Sequence, residues 1–113
     1  MSASIFVQQI SQEEYHIKIQ ASDWELNVHL PHKEFYELSR IHTANWETRA
    51  SIKAGLSAGA SVFWTYHSGR RVVTILVGHD DETWDFAVVV PEFQFIEAVS
   101  PYMAINDQSI SDT

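Results

Sequence analysis

The stretch from Ser61 to Val90 constrains the fold more than any other part of this chain. Val62, Phe63, Trp64 and Tyr66 mark one extended run. Val72, Val73, Ile75, Leu76 and Val77 mark a second, and Trp84, Phe86, Val88 and Val89 a third. β-branched and aromatic residues at this density suit a pleated, half-buried surface. Ser68-Gly69 and the polar run Gly78-His79-Asp80-Asp81-Glu82 supply the turns between them, so the segment reads as a three-stranded antiparallel meander. A two-residue turn at Ser68-Gly69 sets Trp64 opposite Val73 and Val62 opposite Ile75. A turn around Asp80-Asp81 sets Val77 opposite Trp84 and Ile75 opposite Phe86. One face then collects Val62, Trp64, Val73, Ile75, Val77, Trp84, Phe86 and Val88, and this is the expected core face. The second face is mixed: Phe63, Thr65, His67, Arg70, Val72, Thr74, Leu76, Asp85, Ala87 and Val89. It is too apolar for a purely solvated surface, so another chain segment or another molecule is expected to cover part of it.

Tyr15 to Leu30 follows the same logic as a hairpin. With a loop at Gln20 to Asp23, Ile19 faces Trp24, Ile17 faces Leu26 and Tyr15 faces Val28, and all six apolar side chains share one face. His16, Lys18, Glu25, Asn27 and His29 occupy the other, as in a sheet exposed on one side. Ile5 to Ile10 alternates poorly and reads as an edge strand or an arm. Residues 1–4 are expected to be loose.

Pro31 ends the hairpin and starts a helix, since its fixed φ suits a first helical turn. Phe35, Leu38 and Ile41 give that helix its apolar side, and Glu34 and Glu37 lie near its positive end. Trp46, Arg49, Ile52 and Lys53 extend the helical reading to about Ala54, with Gly55 and Leu56 as its C-terminal cap. A strand over Arg49 to Ala54 is the alternative. Gly55 to Ala60 reads as a linker of small residues. Pro91 opens a C-terminal helix carrying Phe95, Ile96 and Val99, and Pro101 limits it. The expectation is a single α+β domain over residues 1–105, with an antiparallel twisted sheet and a helix after each group of strands. A disordered polar tail is expected over 106–113.

The balance of seven Lys and Arg against fifteen Asp and Glu gives a net charge of −8. Affinity for phosphate backbones comes chiefly from Lys and Arg, so nucleic acid is disfavoured as a partner. No cysteine is present, which removes disulfides, thiolate metal sites and thiol nucleophiles. No run approaches the length of a membrane span, and the first residues lack the pattern of a secretion signal. A soluble, cytoplasmic protein is expected.

The six histidines follow no metal-binding spacing such as H-E-x-x-H, and His16 and His29 share the exposed hairpin face. Asp80-Asp81-Glu82 lacks the long oxygen-rich loop of a calcium site. Neither G-x-S-x-G nor a phosphate-cradling glycine loop occurs. No cofactor, metal or catalytic residue is therefore assigned. One polar constellation stands out: His67 and Arg70 beside the first meander turn, with Asp85 on the same face. An Arg70–Asp85 pair bordering Thr65 and Thr74 would suit a polar ligand or carboxylate, or form a simple cross-strand ion pair.

The order strands–helix–strands–helix is similar to that of whirly-like α+β proteins and of a small cyanobacterial family of unknown function with that fold. The residues that carry this resemblance are Asp23-Trp24-Glu25-Leu26, opening a strand that runs into a helix, and Pro91-Glu92-Phe93, starting the last helix. It spans roughly residues 15–100 as architecture. Whirly-like proteins include single-strand nucleic-acid binders, which the resemblance implies as one function. Lys18, Arg70 and Arg71 are the only basic residues in the well-defined strands here.

The residues thus point to a non-enzymatic interaction or regulatory protein, binding a protein partner or a second copy of itself. Phe63, Thr65, His67, Arg70, Val72 and Asp85 are the expected binding residues. Single-strand nucleic-acid binding and an enzyme or ligand binder built on His67, Arg70 and Asp85 are the alternatives.

Overall fold

The computed structural model describes residues 3–103; the tail expected over 106–113 lies outside them. The chain forms one seven-stranded sheet in which every strand is antiparallel to its sequence neighbour. The strands are β1 (Ser4–Ser11), β2 (Glu14–Gln20), β3 (Glu25–Pro31), β4 (Ile52–Ser57), β5 (Ala60–His67), β6 (Val72–Gly78) and β7 (Trp84–Pro91). Helix α1 (His32–Glu37) follows β3, and α2 (Glu92–Val99) follows β7. The α+β architecture is thus the one the strand and helix signals imply.

The faces of the strands sort as alternation requires. Tyr15, Ile17, Ile19, Leu26, Val28 and Leu30 are all buried on one side of β2 and β3, and Val62, Trp64, Val73, Ile75, Val77, Val88 and Val90 on the same side of β5 to β7. The pairing itself differs from expectation in all three hairpins. Ile19 faces Leu26, Trp64 faces Ile75, and Ile75 faces Val88. Each ladder is displaced by two residues because the loops are longer or placed later: Ala21–Trp24 joins β2 to β3 and Ser68–Arg71 joins β5 to β6. A shift of two keeps side chains on their faces, and the core is the expected one except at the start of β7. Trp84 and Phe86, expected within it, are exposed, where the β6–β7 ladder is irregular between Val77 and Gly78 at the edge of the sheet.

The sheet is strongly curled. Trp24, in the β2–β3 loop, packs edge-on against Phe86 of β7, with ring centroids 5.5 Å apart. In a flat sheet, the four strand steps from β3 to β7 would separate them by roughly 19 Å. Helix α2, arriving from β7, packs on β1 at the opposite edge. The inner face is therefore concave, and Phe35, Leu38, Ile41, Phe95 and Val99 fill it. Tyr15 stacks on Phe35 at 4.0 Å, which seats α1 on the hairpin.

The helix after Pro31 is shorter than the reading to Ala54. It tightens into a 3-10 segment over Leu38–Thr43, and Ala44 is extended. Beyond Ala44 the apolar stripe stops, and Asn45 uses its side chain to accept from the Glu47 amide at 2.8 Å, a local bond that competes with helix. The alternative strand reading is nearer. Ile52 to Ser57 forms β4, with Ile52 and Ala54 buried. The linker expected over Gly55 to Ala60 is instead the end of β4, a turn at Ala58-Gly59 and the start of β5.

Gly55 is not a helix cap. It sits at φ +89° where the β4–β5 ladder is irregular between Lys53 and Leu56. Its amide donates to Glu34 Oε1 of α1 at 2.8 Å. A Cβ there would lie 2.6 Å from Val28 Cγ1 and 2.8 Å from Leu30 Cγ. Only glycine combines the positive φ with that approach. Gly55→Ala is expected to lower stability by about 1–3 kcal/mol, read as a lower urea midpoint with an unchanged slope. An unaltered midpoint would show that the bulge does not depend on glycine.

Candidate functional site

The expected binding residues divide into two groups. Phe63 is 8 % exposed and Thr65 3 %, so neither offers a free surface. The chain itself covers them. The segment 45–51 folds beside β5: the Trp46 amide donates to the Tyr66 carbonyl at 2.9 Å, and Thr65 Oγ1 donates to the Ala50 carbonyl at 3.2 Å. The β6–β7 loop closes from the other side, where Ser51 Oγ donates to Asp81 Oδ2 at 2.8 Å. This explains why the second meander face carries apolar residues: Phe63 and Leu76 belong to a small second layer under these two segments. Val72 is half-buried, and His67 is held by the amide of Arg70, which donates to His67 Nδ1 at 3.2 Å.

Arg70 and Asp85 are not brought together. Arg70 lies in the turn before β6, and Asp85 lies near the start of β7, beside the far end of β6. The seven residues of β6 separate them by roughly 20 Å. The constellation expected from a shared face fails because it ignored position along the strand. Neither residue has an ionic partner among the described residues. The basic strand residues are also dispersed: Lys18 is on β2, with β3, β4 and β5 between it and β6, which Arg70 and Arg71 precede.

The principal polar cluster of the structure centres on Glu92. Pro91 starts α2 and places Glu92 in its first turn. His42 Nε2 lies 2.6 Å from Glu92 Oε2, Tyr66 OH donates to Oε1 at 3.0 Å, and Arg71 Nε donates to Oε1 at 3.3 Å. The His42 ring meets Tyr66 edge-on at 4.9 Å. The Glu92 amide also donates to the Arg71 carbonyl at 2.9 Å, and Arg71 adopts φ +57°. The start of α2 is thereby bound to the 3-10 segment, to β5 and to the β5–β6 turn. Both carboxylate oxygens are engaged from within the chain, so the group acts as a clasp.

Burial raises the pKa of Glu92. Hydrogen bonds from His42 and Tyr66, with the charges of His42 and Arg71, outweigh it and hold the carboxyl below its ordinary value. Tyr66 is pushed up, first by burial and then by the bond to Glu92 and its charge. Sequence reasoning missed this cluster because His42, Tyr66 and Arg71 are 50, 26 and 21 residues from Glu92. The one local signal is an acidic residue directly after a helix-starting proline.

A second feature lies along β7, an edge strand that pairs only with β6 among the described residues. Trp84 to Ala87 are four consecutive exposed residues, and Val89 is exposed as well. Trp84 is 42 % exposed and Val89 44 %. At the C-terminal end of β7, a recess of about 430 Å³ opens between Arg71, Pro91, Phe93 and Ile96, and Phe93 is 61 % exposed. The opposite edge differs: the Tyr102 hydroxyl reaches over to donate to the Val7 carbonyl of β1 at 3.2 Å.

The chain matches no protein-family model, no curated protein and no solved structure. Among the described residues, no helix is long and apolar enough to cross a membrane.

Glu92→Gln removes the charge while keeping the shape. It is expected to cost about 1 kcal/mol at neutral pH. A depressed folded pKa contributes stability above the unfolded carboxylate value, and that contribution is lost as pH falls through the folded pKa. The gap between wild type and variant should therefore narrow in acid, as read by urea melts at pH 7 and pH 3. A gap that widens in acid would reverse the assigned sign.

Proposed function

We propose that this chain is a small, cytoplasmic, non-enzymatic interaction protein that holds an extended protein segment along the β7 edge. The observation that carries this reading is the row of exposed residues in an edge strand paired on one side alone among the described residues, with Trp84, Phe86 and Val89 among them. Backbone donors and acceptors on such an edge add a further strand, and alternate side chains set its specificity. Soluble proteins commonly blunt exposed edges with lysine or cover them. β7 carries a single charge, Asp85, and no lysine.

Within the second meander face, the part that remains open is the strip nearest this edge, where Val72 is half-buried and Ala87 and Val89 are exposed. The binding surface is thus narrower than the whole face and displaced toward β7, with Phe63 and Thr65 acting beneath it as support. His67 and Arg70 border the strip at one end and Asp85 at the other.

Val89→Lys places a charge on this strip at a position open to solvent. The circular dichroism spectrum and thermal midpoint should be unchanged. Binding of any protein that the tagged wild type retains from its own cells, a second copy included, should fall at least about tenfold. Retention of every partner at the wild-type level would remove β7 as the binding edge.

A further inference from the structure

We infer that the segment held by β7 is β7 of a second copy, paired antiparallel about a two-fold axis at Val88; this rests on the reading of β7 as a binding edge. The two ends of the strand are complementary to each other. At its start stand Trp84, a large exposed indole, and the acidic Asp85. At its end stand the apolar recess formed by Pro91, Phe93 and Ile96 and the guanidinium of Arg71, whose side chain is 77 % exposed. Within one chain these ends are a strand length apart and cannot meet. An antiparallel two-fold pairing brings each end against the opposite end of the other copy.

The register follows from the same residues. With the axis at Val88, Ala87 of one copy faces Val89 of the other, and Asp85 faces Pro91, beside Arg71. Trp84 then lies one residue beyond, opposite Glu92 at the rim of the recess. Directly opposed residues in an antiparallel pair point to the same side of the sheet, so an axis through one residue keeps inner and outer faces continuous between copies. Ala87 and Val89 join their counterparts on the outer side. Phe86 and Val88 do so on the inner side.

Charge favours this edge over other surfaces for self-association. Two copies of net charge −8 repel at most approaches. Along β7 the single acidic residue meets Arg71, of which only Nε is engaged by Glu92 among the described residues. Asp85, which has no ionic partner among the described residues, gains one. The edge at β1 carries no such complement, and the Tyr102 hydroxyl already occupies the Val7 carbonyl there.

The absence of cysteine makes the register directly testable. Light scattering on the full chain from about 1 to 100 micromolar should show a dimer. Asp85→Arg, at an exposed site, should raise the dissociation constant by about tenfold or more. An equal mixture of Ala87→Cys and Val89→Cys should give a disulfide-linked dimer on mild oxidation, whereas neither variant alone should. A wild type that stays monomeric throughout would overturn the inference. If Val89→Lys still loses another protein in that case, β7 remains a binding edge with a different occupant. A dimer that is indifferent to Asp85→Arg and gives no mixed crosslink would place self-association on another face and equally overturn it.

Discussion

The bulge at Gly55 is the constraint on which the rest of the structure depends. Its positive φ takes one residue of β4 out of the regular ladder. Two groups that a regular strand would pair are thereby turned elsewhere. The Gly55 amide reaches Glu34 and fixes α1 to the sheet. The Ala54 carbonyl accepts from the buried indole of Trp64 at 2.8 Å. Trp64 is fully buried and packs against Phe95 of α2 at 5.9 Å. A buried indole N–H without an acceptor would cost about 1–3 kcal/mol, so the bulge is what allows the largest core side chain to sit at the centre of the concave face. Both helices are thus tied, directly or through Trp64, to one irregular residue in β4.

Clasping follows from curling. A sheet that wraps far enough for Trp24 to touch Phe86 has little width left on its inner side, and α2 must cross it to reach β1. The path of α2 is set at its first turn. Glu92 is the residue that sets it, drawing on His42, Tyr66 and Arg71 from three separate elements. Each bond is modest, and the partners are partly exposed, so no one of them dominates. Their joint effect is directional: the helix leaves β7 at one angle, and Phe95 and Val99 point into the concave face.

Alternation along strands was legible from sequence, and its limits are as informative as its success. Tyr15, Ile17 and Ile19, or Val62 and Trp64, declare their face by spacing alone, because the period of two is a property of the pleat. Spacing cannot separate registers that differ by two residues, since both put the same side chains on the same face. All three hairpins took the register displaced by two. In the β5–β6 turn, Arg71 adopts φ +57°, an uncommon state for a residue other than glycine, and nothing in Ser68-Gly69-Arg70-Arg71 announces it. The segment 44–57 was misread as helix and linker for a related reason. Ile52 and Ala54 are core residues, but the bulge at Gly55 breaks the alternation before a strand becomes evident. Sites that depend on faces were therefore legible, whereas sites that depend on distance along a strand were not. Phe63 and Thr65 lie on the predicted face and are covered by distant chain, while Arg70 and Asp85 share a meander and stand at its two ends.

The two edges of the sheet are covered differently. At β1, the last described residues return across the concave face, and Tyr102 takes up the Val7 carbonyl while packing against Tyr15 and Phe35. At β7 no such strap exists among the described residues. Curvature sharpens the difference. An inward curl brings β1 under α2, and at β7 it carries Trp84 and Val89 onto exposed surface. An antiparallel sheet has the same backbone valence at each edge, so what distinguishes the edges is where the helices fall. Helix α2 begins at the end of β7 and finishes against β1. The clasp at Glu92 therefore directs α2 onto the β1 edge and leaves the β7 edge uncovered among the described residues.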